Sequence, residues 1–316
     1  MTTISLVVTR AVHFGACLLF FGLPAFDRFV AASILTGHKT EAARYWETRL
    51  RWFGCVLLPV ILLSGIAWFV LVAATMSALP LGQAVQPVIL ETVWNQTDFG
   101  TVWKWRLFFW LAAAVAAAFF FFNFRPSFQR SLVWLQLVSG GLLLSSLAWA
   151  GHGLEGPCWH LVADIFHLLV AGLWPTGLFP LIWFLCQLRH GSEPERWCRI
   201  AVLIRRFSAL SLAAVALLVI TGFVNSWFLV GSISNLCSQT YGRWLLVKIC
   251  LFGVAVAIGA VNLLRLKPRL LAETAQSQPS EATAAQLQFN VQMELVLGTT
   301  IVVVVAVLGI LPPALH

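Results

Sequence analysis

The sequence has few charged residues for its length. Of its 316 residues, 10% are Asp, Glu, Lys or Arg and 60% are hydrophobic, and the mean hydropathy is +0.88. A soluble domain typically carries about 25% charged residues, so too few charges are present here to cover the surface of a soluble protein of this size. The net charge is +8, but the basic residues stand in short clusters between apolar runs. Such clusters are typical of membrane flanks and argue against a nucleic-acid-binding surface.

Signatures of soluble metal sites and of catalytic sites are also missing. The seven cysteines form no Cys-x-x-Cys pair, so neither a zinc ribbon nor an oxidised disulfide scaffold is expected. The sequence has no Gly-rich phosphate loop and no nucleophile–base motif, and we therefore do not expect an enzyme. The first apolar run is too long for the core of a signal peptide, so we interpret it as a membrane span.

Long apolar stretches dominate the rest of the chain. A membrane helix needs about 20 mostly apolar residues, and in lipid the backbone must satisfy its own hydrogen bonds, which favours helices over open strands. The sequence therefore predicts an all-α integral membrane protein with eight transmembrane helices. The predicted spans are residues 7–35, 53–75, 102–122, 131–150, 160–188, 201–230, 244–264 and 291–311.

The basic residues predict the orientation of these spans. Fifteen of the 20 lysines and arginines fall in odd-numbered loops: Arg28, Lys39, Arg44, Arg49, Arg51, Arg125, Arg130, Arg189, Arg196, Arg199, Arg205, Arg206, Arg265, Lys267 and Arg269. Because cytoplasmic loops carry the excess of positive charge, both termini are expected outside, in the periplasm of a Gram-negative cell. The Ala/Gln/Ser/Thr-rich segment 272–288 is predicted to be a flexible cytoplasmic loop.

Landmark residues recur in the same order in the two halves of the sequence. Each half has a histidine before a Gly and a Pro, then a hydroxyl–glycine pair, then a Gly six residues before a basic residue. This recurrence predicts two parallel four-helix repeats, residues 1–150 and 151–316, since an even number of spans gives both halves one orientation. The landmarks are His13, Gly22, Pro24, Ser64-Gly65, Gly100 and Arg106, followed by His167, Gly177, Pro180, Thr221-Gly222, Gly242 and Lys248.

Histidines near the predicted outer face are the main candidates for chemistry, because ionisable groups in a membrane are costly and usually functional. His13 and Cys17 are four residues apart, and His160, Asp164 and His167 share one helix face. If the first and fifth spans face each other, His13 and His167 meet in one site. Imidazole with thiol suits copper, and Asp164 is placed to orient an imidazole. The alternative is that these are interfacial histidines bonded to neighbouring helices.

The complete set of predicted metal ligands is His13, His167, His160, His152, Cys17 and Cys158. The predicted supporting or path residues are Asp164, Trp174, Asn225, Lys248 and Met76. Only three methionines occur, which weakens the hypothesis of a methionine-lined copper path. Arg106 and Lys248 are expected either to snorkel to headgroups or to balance carboxylates. For Cys158 and Cys237 a periplasmic disulfide, free thiols and a metal ligand all remain open.

Several of these motifs together resemble the copper resistance protein D (CopD/PcoD) family over nearly the whole chain. The motifs are Arg10-Ala-Val-His13, Asp164-Ile-Phe-His167, Arg206-Phe-Ser208, Thr221-Gly-Phe-Val-Asn225-Ser-Trp227 and Thr240-Tyr-Gly-Arg-Trp-Leu-Leu-Val-Lys248. The resemblance implies an inner-membrane protein of copper homeostasis that carries copper from periplasm to cytoplasm. It also implies a separate small periplasmic copper-binding partner of the CopC type. Family members commonly read Trp-x-Gly-Gly where this chain has Trp174-Pro175-Thr176-Gly177, a change that is expected to alter helix packing slightly.

Two other functions compete with copper translocation. A b-type haem held between His13 and His167 would make the chain an electron-transfer protein. A sensor or accessory subunit would bind copper, as Cu(I) or Cu(II), without moving it. The sequence offers a candidate outer site but no obvious inner one.

Overall fold

In a computed structural model, the structure describes residues 2–35, 41–122, 126–150, 157–190, 195–276 and 281–314. The regular elements in these ranges are all helical. They are α1 (Thr2–Phe26), α2 (Ala32–Leu35), α3 (Glu41–Ser77), α4 (Leu81–Ala84), α5 (Pro87–Gln96), α6 (Asp98–Phe122), α7 (Pro126–Ser145), α8 (Cys158–His190), α9 (Arg196–Val230), α10 (Ile233–Ser238), α11 (Thr240–Val261), α12 (Lys267–Ala275) and α13 (Glu281–Leu308). The π-helical turns Asp27–Ala31 and Asn262–Leu266 continue α1 into α2 and α11 into α12.

Seven helical segments are long and apolar enough to cross a membrane, and they lie in α1, α3, α6, α8, α9, α11 and α13. They include seven of the eight predicted spans. The remaining one corresponds to α7, whose apolar part, Ser131–Ser145, is shorter. The predicted span continued to residue 150, but the helix ends at Ser145 and turns follow it. The coarse prediction of an all-helical chain with many apolar helices is confirmed.

The connections contain more helix than the sequence predicted. α4 and α5 lie between α3 and α6, and α10 lies between α9 and α11. These two connections, which the sequence predicts on the outer side, therefore contain short helices. The segment 272–288, predicted as a flexible loop, is helical on both sides of residues 277–280, which lie outside the described residues. α12 extends to Ala275, and α13 begins at Glu281.

The first helix lies at the centre of the molecule, where α1 packs against α3, α7, α8 and α13. At its crossing with α8, Gly22 lies so close to Gly172 and Thr176 that a Cβ at residue 22 would collide with both. The resemblance to the copper resistance protein D family implies a glycine at the position of Thr176, and the Thr176 hydroxyl donates to the Gly172 carbonyl. The contact is therefore tight despite the extra side chain, because the hydroxyl is satisfied within its own helix.

The outward faces of these helices carry large apolar side chains. Phe119 on α6, Leu212 and Phe223 on α9 and Val296 on α13 are each more than half exposed. A soluble monomer rarely exposes so much apolar surface, whereas lipid is a suitable solvent for it. The exposure pattern agrees with a membrane protein whose polar residues face inward.

Candidate functional site

The polar residues of the first half meet around His13, which is only 1% exposed on α1. Its Nδ1 lies 3.0 Å from Ser64 Oγ on α3. The Ser64 hydroxyl donates its one proton to the Val60 carbonyl at 2.5 Å, so its oxygen must accept from His13 Nδ1–H. This proton count assigns the Nδ1–H tautomer and leaves Nε2 as the ring nitrogen with a free lone pair.

In the first half that lone pair already has a partner. An Arg106 guanidinium nitrogen donates to His13 Nε2 at 2.5 Å, and the other terminal nitrogen donates to Ser146 Oγ at 2.7 Å. Cys17 Sγ lies 3.8 Å from the same Nε2 and 4.0 Å from the guanidinium. We name His13, Cys17, Ser64, Arg106 and Ser146 the first-half site.

Aromatic rings enclose the first-half site. The His13 ring lies 5.4 Å from Trp68 and 6.0 Å from Trp103, measured between centroids. The Arg106 guanidinium is 5.3 Å from the Trp103 ring centre, and that of Arg10 is 4.9 Å from the Trp68 ring centre. The two buried cations are thus partly stabilised by cation–π contacts. Among the described residues, neither forms an ion pair with a carboxylate.

The second half repeats the anchor with different surroundings. His167 Nδ1 on α8 lies 2.9 Å from Thr221 Oγ1 on α9. Thr221 donates to the Leu217 carbonyl at 2.7 Å, so the same proton count assigns Nδ1–H to His167. In the described part of the chain, no side chain donates a hydrogen bond to His167 Nε2.

A carboxylate and a lysine lie beside His167. Asn225 donates to Asp164 Oδ1 at 3.0 Å, and the ammonium of Lys248 interacts electrostatically with both Asp164 and His167. Lys248 therefore balances a carboxylate, as one of the two sequence interpretations expected. Arg106, its counterpart in the first half, is 2% exposed and bonds to His13, which neither interpretation foresaw. We name His167, Thr221, Asp164, Asn225 and Lys248 the second-half site.

Further along α8, His160 is 3% exposed with its ring centre 4.7 Å from that of Phe228. Its Nδ1 is buried and has no hydrogen-bond partner among the described residues. A buried imidazole nitrogen without a partner is costly, and binding an ion would satisfy it. His160, His167 and Trp174 are seven residues apart in turn, so they follow one face of α8.

The remaining predicted residues are scattered. Cys158 and Cys237 are exposed free thiols, so they form no disulfide in this structure, and Met76 is 53% exposed near the end of α3. Trp174 is buried and packs edge-on against Phe252 of α11. His152 lies outside the described residues.

The structure does not bring the predicted ligands into one cluster. Within the described ranges, no group of three or more His, Cys, Asp or Glu side chains is arranged to hold a metal ion. His13 contacts α3 and α6, whereas His167 contacts α9 and interacts with Lys248 of α11. A single site shared by His13 and His167 stays a prediction. In the sequence Ser64 and Thr221 stand out only as recurring landmarks, and that recurrence is the signal that both bond to a histidine.

Comparison with known proteins gives these sites a context. Residues 1–162 match the family model described as copper resistance protein D-like, N-terminal domain, and residues 201–308 match that of copper resistance protein D. Copper resistance protein D of Pseudomonas syringae pv. tomato is 34% identical over 235 residues, 72% of each chain.

Two further relatives are more distant. Inner membrane protein YebZ of Escherichia coli (strain K12) is 24% identical over 99% of this chain and 100% of its own length. Copper transport protein CutJ of Bacillus subtilis (strain 168) is 29% identical over 58% of this chain but only 34% of its own length. The resemblance expected from the motifs is confirmed, and the chain belongs to the copper resistance protein D family.

Proposed function

We propose that this chain carries copper ions inward across the inner membrane, from periplasm to cytoplasm, without a catalytic step. We further propose eight spans arranged as two parallel four-span repeats, with both termini periplasmic. Membership of the family and a relative named as a copper transport protein support copper handling, and a relative named as an inner membrane protein supports the location. The orientation rests on the basic loops, and the inward direction rests on the resemblance to the copper resistance protein D family.

The duplicated histidine anchor carries the proposal. Each half fixes an imidazole through Nδ1 on a hydroxyl, Ser64 in one case and Thr221 in the other. A ligating histidine is typically oriented in this way by a bond from its second ring nitrogen. Because both histidines are anchored through Nδ1, Nε2 of each ring points away from the anchoring hydroxyl. Nε2 of a neutral imidazole is a good copper ligand.

The route we propose follows α8. Copper arrives near Cys158 and His152, passes to the unpartnered nitrogen of His160, and moves on to His167 one further heptad along the same face. Asp164 and Asn225 lie between these two histidines. The carboxylate partly offsets the charge of an entering cation, which would otherwise cost several kcal/mol in a low-dielectric interior.

The first-half site offers a second, softer ligand pair, since His13 Nε2 and Cys17 Sγ lie together. In this conformation Arg106 donates to Nε2. We propose that the guanidinium occupies the position of a copper ion and keeps this pair closed until Arg106 moves. A small periplasmic protein of the CopC type is the proposed copper donor.

Copper uptake into proteoliposomes tests the transport function. We expect vesicles that contain the purified full-length chain to take up copper faster than vesicles without protein. Vesicles that contain the His167→Ala variant should take up copper at the rate of vesicles without protein. Cys250→Ser, which changes an exposed thiol on α11, is the matched control and keeps wild-type uptake. Equilibrium copper binding without uptake would instead identify a sensor or accessory subunit, and a Soret band in the purified protein would identify a haem protein.

The orientation has its own test, because exposed free thiols lie at both predicted sides. Variants that retain one cysteine each, Cys158, Cys237 or Cys198, are treated in intact spheroplasts with a membrane-impermeant maleimide. We expect Cys158 and Cys237 to react and Cys198 to react only after lysis. The opposite pattern would reverse the proposed topology and, with it, the direction of transport.

A further inference from the structure

A cavity of about 150 Å³ lies between α8, α9, α11 and α13. Its described lining is mostly apolar, and Glu294 on α13 is the one ionisable side chain in it. The neutral polar groups come from Ser208 and Ser211 on α9 and from Asn262 in the π-helical turn after α11. This cavity lies on the predicted cytoplasmic side of His167, away from the two histidine sites.

Glu294 is only 4% exposed, yet its polar partners are all neutral. Asn262 donates to its Oε1 at 2.7 Å, and the indole of Trp174 also hydrogen-bonds to the carboxylate. A Cβ added at Gly259 would lie 3.5 Å from Oε2, so the missing side chain at residue 259 leaves space beside that oxygen. In the described part of the chain Glu294 belongs to no ion pair.

A buried carboxylate without a cation is expensive in a membrane, where an ionised group costs several kcal/mol even after relaxation. Two neutral donors offset only part of that cost. The carboxylate must therefore bind either a proton or a metal cation. Mg²⁺ and Ca²⁺ take six to eight oxygen ligands, more than the side chains of the described lining provide. A proton needs one carboxylate oxygen, and the buried Ser211 hydroxyl, which has no hydrogen-bond partner in the part of the chain that the structure describes, is available to a water beside it.

Polar side chains connect Glu294 to the surface. Asn290, one turn before Glu294 on α13, donates to Asn262 Oδ1 at 2.8 Å. Gln286, one further turn back and exposed, donates to Asn290 Oδ1 at 3.0 Å. This chain of hydrogen-bonded side chains thus runs from the cavity to the predicted cytoplasmic end of α13. It gives water polar partners in a region where the surrounding packing is apolar.

A π-helical turn supplies the centre of this chain of side chains. Asn262 is the first residue of the turn Asn262–Leu266. Its side-chain Nδ2 donates to Glu294, and its side-chain Oδ1 accepts from Asn290. Such turns are rare and are frequently found at functional sites. We propose that Glu294 is a reversible proton-binding site inside the membrane, filled and emptied from the cytoplasmic side along Asn262, Asn290 and Gln286.

Reaction with dicyclohexylcarbodiimide tests this proposal, because this apolar reagent modifies protonated carboxyl groups in apolar surroundings. The purified full-length chain in detergent is treated across a pH series, and the adduct is located by mass spectrometry of peptides. We expect an adduct at Glu294 under acidic conditions that disappears as the pH rises. It should be absent in Glu294→Gln and unchanged in Asp98→Asn, which alters an exposed carboxylate near the start of α6.

A second reagent tests the route of access. A water-soluble carbodiimide should modify Glu294 more slowly in Asn290→Leu than in the wild type, whereas the apolar reagent should react equally with both. The absence of any adduct in the wild type at every pH would overturn the proposal, as would an adduct that does not vary with pH. Protection by sodium or potassium ions at constant pH would overturn it in favour of a cation site. None of these measurements involves copper, so their failure leaves the proposed transport function standing.

Discussion

The first-half and second-half sites are built on the same anchor but differ in what faces the free nitrogen of the histidine. In the first half Arg106 donates directly to His13 Nε2, and no carboxylate among the described residues pairs with that cation. In the second half the charge of Lys248 acts on both Asp164 and His167, and no side chain among the described residues donates a hydrogen bond to His167 Nε2. The difference teaches that two matching histidine–hydroxyl anchors can leave one Nε2 bonded to a cation and the other without a side-chain donor among the described residues.

The two sites are suited to different roles. A guanidinium held by His13, Ser146 and two tryptophan rings stabilises the packing of α1, α3 and α6. An imidazole with an open lone pair, a carboxylate one turn away and an unpartnered histidine above it suits a moving cation. We therefore propose that the first-half site is primarily structural while Arg106 stays in place, and that the second-half site binds copper.

The largest expected effect is the loss of His167. We expect His167→Ala to lower the initial rate of copper uptake by more than ~100-fold, because removing a ligand should cost at least as much as removing the groups that orient it, which is about 10–100-fold. His13→Ala should retain measurable uptake in the same assay. Equal losses in the two variants would break the comparison and favour one metal site shared by both histidines.

The anchor of His167 gives the next largest effect. Thr221→Val keeps the shape of the side chain but removes the acceptor for Nδ1–H, so the imidazole loses its fixed orientation. We expect copper affinity, measured by titration of the purified protein, to weaken by about 10-fold or more. Ser64→Val is the matched change in the first half and should leave that affinity unchanged. A weakening of similar size in Ser64→Val would show that both anchors serve the same ion.

Much of the fold could be predicted because lipid restricts it so strongly. Apolar run lengths alone located all seven long apolar helices, whereas the short α4, α5 and α10 lack any comparable signal. The spacing of His13 and Cys17 predicted their proximity, since residues four apart share a helix face. The bond from Arg106 to His13 could not be foreseen, because it joins residues 93 apart and depends on how α1 and α6 pack.

The sequence was likewise a poor guide to the inner side of the molecule. Glu294 and Asn262 are 32 residues apart, and Asn262 begins the π-helical turn after α11. Their hydrogen bond joins α13 to that turn, so it depends on how distant helices pack and leaves no local pattern in the sequence. The sequence marks Glu294 as a polar residue within the last span, but its pairing with Asn262 is visible only in the packed helices.

Opening the first-half site should have a smaller effect on copper. Arg106→Met removes the donor from His13 Nε2 and keeps a side chain of similar length in the buried position. We expect the variant to bind an additional copper ion through His13 and Cys17, more weakly than the site at His167. The double variant Arg106→Met with His13→Ala is the control and should return to the wild-type stoichiometry. An unchanged stoichiometry in Arg106→Met itself would mean that Arg106 does not close a metal site.

The smallest expected effect concerns stability alone and bears directly on the structural role of the first half. Ser64→Ala removes the hydroxyl that accepts from the buried Nδ1–H of His13 and leaves the Ile61 carbonyl as its remaining partner, so the loss should be about the 0.5–1.5 kcal/mol that one hydrogen bond contributes. Because the first-half site joins α1, α3 and α6, the variant should unfold at a lower temperature in detergent while its copper uptake stays at the wild-type rate. Adding saturating copper should raise the unfolding temperature of the wild type and of Ser64→Ala by the same amount, since a ligand stabilises a fold only through the site that it occupies. A smaller shift in Ser64→Ala would place copper at His13 and end the division between a structural half and a copper-binding half.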